Sequence, residues 1–280
     1  MIKLLKIELR KTLNYIPFQI LIGLHLVLFI VGIFFIPRID FNIPFVTILP
    51  LYQFPHVWNF TTWISSFYNI SLVLLVIMLT CNEFNNKTYK QQLIFGLSRT
   101  DLLLQKTILI SLLSFYVVLL VGVSSVASGL FYSYKITFNL VFERSWILLT
   151  LFVQIFTYLS FGLLFSLIFR NMILSGVVYL MYRVIIEPII RVNVPEDYRS
   201  YFPSKFVTNL TPRPEILSMI QKNMQQQGQG QGHPPDPDGN PLDSLIQAGL
   251  PIWENLILTF LLIGILMMIS WWILKKRRFN

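Results

Sequence analysis

The residues most able to do chemistry in this 280-residue chain lie in "YRVIIEPIIR", where Arg183, Glu187 and Arg191 recur every four residues. That spacing lines them along one helix face. Reading a helix from Asn171 puts Arg183 about 18 Å and Glu187 about 24 Å along it, inside the outer half of a hydrocarbon core about 30 Å thick. Ionisable groups at that depth are costly enough to suggest a purpose. The bland alternative is a self-paired ladder that snorkels to the interface, with Pro188 ending the helix. Other chemistry is sparse. His25, His56 and His233 stand in no metal-binding or zinc-protease spacing, and the one cysteine, Cys81, allows no internal disulfide. No phosphate-binding loop of the G-x-x-x-x-G-K-[ST] type occurs, so ATP hydrolysis by that route is not expected of this chain.

The elements that would position these groups are membrane helices. Hydrophobic residues make up 55% of the chain and charged ones 12%, against roughly 25% charged in ordinary soluble domains. Charge-free or nearly charge-free runs of at least about 18 residues predict six spans. They fall near Phe18–Ile36, Thr62–Cys81, Thr107–Leu130, Ser145–Phe169, Met172–Ile190 and Asn255–Leu274. The fold class expected is therefore an all-α membrane protein with six transmembrane helices. Lys3, Lys6, Arg10 and Lys11 before the first span, and Lys275 to Arg278 after the last, put both termini in the cytoplasm by the positive-inside rule. The net charge of +9 is absorbed by these anchors, and no basic stripe with interleaved aromatics suggests nucleic acid.

Around the spans the chain divides into four parts. Residues 1–17 alternate leucines with lysines and arginines at helical spacing, predicting an amphipathic helix on the inner membrane surface. Residues 18–190 form the membrane domain, spans one to five. Residues 191–251 form an outward segment, in which Pro214–Met224 has the pattern of a short reentrant or surface helix. Its Gln/Gly/Pro-rich tract, 225–241, has no core-forming side chain and is expected to stay flexible. Residues 252–280 hold the sixth span and a basic cytoplasmic tail.

Between the second and third spans, "NEFNNKTYKQQLIFGLSRTDLLLQK" interrupts the apolar chain. Gly96 should break one helix, and Ser98 or Thr100 should cap the next, with Asp101 suited to its positive end. This link resembles that of the permease subunits of type-2 ABC exporters, which commonly run E-[FY]-x-x-x-T-x-x-x-L, then G-x-x-R, then K. The matching residues are Glu83, Phe84, Thr88, Gln92 or Leu93, Gly96, Arg99 and Lys106, the leucine standing one place late. The resemblance implies a cytoplasmic coupling helix near 83–100 that docks on a separate ATP-binding subunit. It assigns Glu83, Thr88, Gly96, Arg99 and Lys106 to coupling. It also implies a second permease copy or a related permease, in a dimer within the cell (inner) membrane, with the second and fifth spans lining the path. No cofactor is then expected in this chain, ATP and Mg belonging to the partner. Arg183 and Glu187 match no family motif and stand as possible conduit residues on position alone. The function expected is export of a lipid-like, glycan, drug or peptide substrate without bond chemistry. Its rivals are an integral-membrane lipid-modifying enzyme and a non-transporting anchor or immunity subunit.

Overall fold

A computed structural model describes residues 2–35, 49–134, 136–211 and 250–276. Every long apolar run is a helix, as it must be where lipid offers no hydrogen-bond partner to an open backbone. The chain begins with α1 (Ile2–Leu13) and α2 (Ile16–Phe35), then a short 3-10 turn at Leu49–Tyr52. The second span, α3 (Val57–Asn85), leads through α4 (Thr88–Ile94) into the third, α5 (Arg99–Tyr132). A single turn, α6 (Phe138–Phe142), precedes the fourth span, α7 (Ile147–Phe169). The fifth is α8 (Met172–Met181), a π-helical stretch Tyr182–Ile186, and α9 (Glu187–Val192). Two short helices, α10 (Glu196–Arg199) and α11 (Pro203–Thr208), come before the sixth span, α12 (Ile252–Lys276). No strand occurs among the described residues. Among the described residues six helices are long and apolar enough to cross a membrane, and each overlaps one expected span.

The bundle is centred on α3 and α7. About two thirds of the α3 span and 72% of the α7 span are buried inside the protein, against 17–33% for the other four. The two backbones approach closely at Gly162, where an added Cβ would meet Val73 Cγ1 at 2.8 Å and the Val73 carbonyl oxygen at 3.2 Å. Small residues at such crossings let helices pack where lipid supplies no hydrophobic drive between them. Core hydroxyls on these helices bond back to carbonyls of their own helix, as Thr62 does to Trp58 (2.7 Å) and Thr157 to Val153 (2.7 Å).

The first part of the segment after the fifth span is packed against the bundle. Phe206, Val207 and Leu210 are buried, and α11 lies against α12 and α7. Gln154 of α7 makes this possible. Its Nε2 donates to the Val207 carbonyl (3.1 Å), the Thr208 carbonyl (3.3 Å) and Thr211 Oγ1 (3.1 Å), while the Tyr158 hydroxyl meets Thr208 Oγ1 at 2.8 Å. The last carbonyls of a short helix have no partner within it, and beside a membrane helix they must be satisfied in this way. The helix expected at Pro214–Met224 and the 225–241 tract lie outside the described residues.

Candidate functional site

Two polar sites face the interior of the bundle. The first sits where α1, α3 and α5 meet, at the base of the α3–α5 link. Lys106 Nζ donates to Glu83 Oε1 (2.6 Å) and Glu8 Oε1 (2.8 Å), although these residues are 23 and 98 positions away in the chain. Lys11 Nζ reaches Glu8 Oε2 at 2.8 Å and also contacts Glu83 Oε1. Two carboxylates and two ammonium groups thus cancel, with Lys106, Glu8 and Glu83 all buried. Burial alone would push the Glu8 carboxyl up, but Lys106 and Lys11 outweigh it and hold the group below its ordinary value. Tyr89, the buried residue of α4, packs its ring at a tilt of 46° against Phe84, with centroids 4.6 Å apart. Burial, with Glu83 and Glu8 nearby, keeps its phenol well above the ordinary range.

Thr88 opens α4, and the helix stops because Gly96 takes φ +86°, a left-handed conformation that costs a side-chain-bearing residue about 1–2 kcal/mol. Leu97 N–H donates to the Gln92 carbonyl and Gly96 N–H to the Leu93 carbonyl, both at 3.1 Å, which satisfies the helix end as a Schellman motif does. Ser98 then caps α5: its Oγ accepts from Asp101 N–H (3.1 Å), and Asp101 Oδ2 accepts from Ser98 N–H (2.9 Å). The turn between these caps leaves Ile94 73% and Phe95 87% exposed.

Of the five link residues taken from the resemblance, Glu83 and Lys106 come together in the buried cluster, whereas Thr88 and Gly96 shape the link. Arg99 does something else. Its Nη1 donates to the Leu274 carbonyl (3.0 Å) and contacts that of Lys275, neutralising the negative C-terminal end of α12. The 83–100 region is thus not one helix: Glu83 completes the second span and Arg99 begins the third. The link, α1 and the described end of α12 consequently share one face of the bundle.

The roles of Glu8 and Lys11 were invisible in the sequence. The N-terminal helix reads as a basic surface helix, but its Glu8 and Thr12 face the protein, while Lys6, Arg10 and Leu13 are exposed. A lone acid among four basic residues was the available signal.

The second site is on the fifth span. Arg183 Nη1 donates to the Tyr179 hydroxyl (3.0 Å), and its guanidinium carbon lies 4.0 Å from the centre of the Tyr158 ring. Glu187 is buried and accepts the Ser204 N–H (2.7 Å) at the start of α11. The two side chains set one turn apart by spacing therefore reach different partners, and Glu187 does not snorkel. The π-helical turn over Tyr182–Ile186 adds a residue to the turn between them, and such insertions frequently accompany functional sites. Among the described residues no group of three or more His, Cys, Asp or Glu side chains is placed to hold a metal ion. His25 is buried, with Nδ1 3.4 Å from the Tyr116 hydroxyl, and Cys81 is buried and unbridged.

A scan against models of known protein families matches none of them, and no curated protein sequence is significantly similar to the chain.

Proposed function

We propose that this chain is the permease subunit of a type-2 ABC exporter, coupled through its α3–α5 link to a separate cytoplasmic ATP-binding subunit. The observation that carries this reading is the build of the link. Its tip offers Ile94 and Phe95 to solvent, and its base is tied to α1, α3 and α5 through the Glu8–Lys11–Glu83–Lys106 cluster. Exposed apolar side chains at a turn suit insertion into a cleft of a soluble partner. A stiff base would pass that partner's movement into two spans together.

In this reading both termini are cytoplasmic, the membrane is the cell membrane, and a second permease copy or a related permease completes the conduit. The substrate class is lipid-like, glycan, drug or peptide. Arg183 and Glu187 line the path from the fifth span, and ATP and Mg act only in the partner. The test is to purify the chain from its native membranes, identify any ATP-binding protein that accompanies it, and measure association and ATPase activity in vesicles. Phe95→Asp should abolish both while leaving the permease folded. Full association in Phe95→Asp would overturn the docking assignment. Turnover of phospholipid by the chain alone would favour a lipid-modifying enzyme instead.

A further inference from the structure

Beside the ion cluster lies an open pocket of about 200 Å³ lined by Glu83, Phe84, Asn85, Lys87, Tyr89, Lys90 and Arg170. From its geometry we infer a binding site for the phosphate of an anionic phospholipid, drawn from the leaflet on the link's face. Three cations converge there from two separate parts of the chain, Lys87 and Lys90 from the start of α4 and Arg170 from the end of α7. Glu83, the one acid in the lining, is already matched by Lys106 and Lys11, so the pocket keeps the positive charge of Lys87, Lys90 and Arg170.

Two of these cations sit on costly backbone. Lys87 has φ 53° and Arg170 φ 55°, left-handed conformations that non-glycine residues adopt at a cost of about 1–2 kcal/mol each. Arg170 is held further by its guanidinium, 5.3 Å from the centre of the Phe84 ring. Its place at the end of α7 accounts for a cation there, since a helix C-terminus favours positive charge. It does not account for two lysines on a different turn facing the same cavity.

The level of the pocket favours a lipid over a free anion. Phe84 and Asn85 end α3, Arg170 directly follows α7, and Met172 begins α8, so the pocket lies where three apolar helices leave the membrane. Directly after Arg170 in the chain, Met172, Ile173 and Val177 are exposed, an apolar flank on which acyl chains can lie. Basic residues at that level attract anionic headgroups. The inference requires only that these helices cross a membrane, and it stands or falls separately from the exporter reading.

The experiment is native mass spectrometry of the full chain in neutral detergent with phosphatidylglycerol, phosphatidylcholine or inorganic phosphate added. Phosphatidylglycerol should bind in preference to phosphatidylcholine. Each charge removed should weaken it about fivefold, so Lys87→Gln/Lys90→Gln/Arg170→Gln should lose about a hundredfold. Lys275→Gln/Lys276→Gln, which removes charge from the same face outside the pocket, should bind as the parent does. If the triple variant does not fold, the exposed Lys90→Gln alone should show the fivefold loss. Undiminished binding in these variants, equal loss in the Lys275/Lys276 control, or displacement of the lipid by inorganic phosphate would each overturn the assignment.

Discussion

The two polar sites solve the same problem in opposite ways. At the base of the link, buried charges are balanced by opposite charges, so Glu8, Lys11, Glu83 and Lys106 lock three helices into one unit. On the fifth span, Arg183 rests on a tyrosine ring and a hydroxyl, and Glu187 takes a backbone N–H from a short helix. The first arrangement is rigid, because separating its members strands a charge in a low-dielectric interior. The second relies on neutral partners and irregular helix, and so can exchange those partners at lower cost. A protein that transmits force at one face and admits a guest within the membrane would need this contrast.

The contrast can be broken most severely at Lys106. Lys106→Met leaves two buried carboxylates with Lys11 as their remaining partner, and should cost about 3–5 kcal/mol, read as a large drop in thermal stability in detergent. Glu8→Gln/Glu83→Gln/Lys106→Met removes the mismatch and should restore most of it. Equal loss in both would show that packing and not charge holds the base of the link.

On the other side, Glu187→Leu should free the Ser204 N–H and cost about 1–3 kcal/mol, local to α11. Hydrogen exchange should accelerate at residues 203–208 while the link is unaffected. If the proposed exporter reading holds, Arg183→Leu/Glu187→Leu should also abolish transport, and unimpaired transport would remove both residues from the proposed conduit. A smaller effect is expected at the link's own turns. Gly96→Ala should cost about 1–2 kcal/mol and Ser98→Ala about 1, both seen as faster exchange across 88–101.

The smallest effect follows from protons. Glu8 has a lowered value in the folded protein, so its contribution is full above its ordinary value of 4.5 and disappears as the pH falls through the lowered one. Acidification through that window should loosen α1 from α5, and Glu8→Gln should remove this acid-dependent step.

The six spans could be read directly because a charge-free run of membrane length has one stable solution in lipid. Gly96 was equally legible and the cap was narrowed to Ser98 or Thr100, since helix ends are local events governed by neighbouring residues. Pairings across the bundle were not. Lys106 and Glu8 are 98 positions apart, and nothing in either local pattern specifies the other. Arg99 carries a link motif, yet its side chain turns to the end of α12, 175 positions away. The packed α11 escaped notice because six residues around Phe206 and Val207 are too few for a period, and its support comes from Gln154 on another helix.

The central claim is that the link tip meets a nucleotide-hydrolysing protein. Its most direct test is a photo-crosslinking side chain placed at Phe95 in intact cells, with Phe138, exposed on the α5–α7 connection, as the control. The account predicts an adduct between position 95 and an ATP-binding protein, and none from position 138. Crosslinks from position 95 to lipid alone, or its labelling by a reagent confined to the outside of the cell, would contradict it.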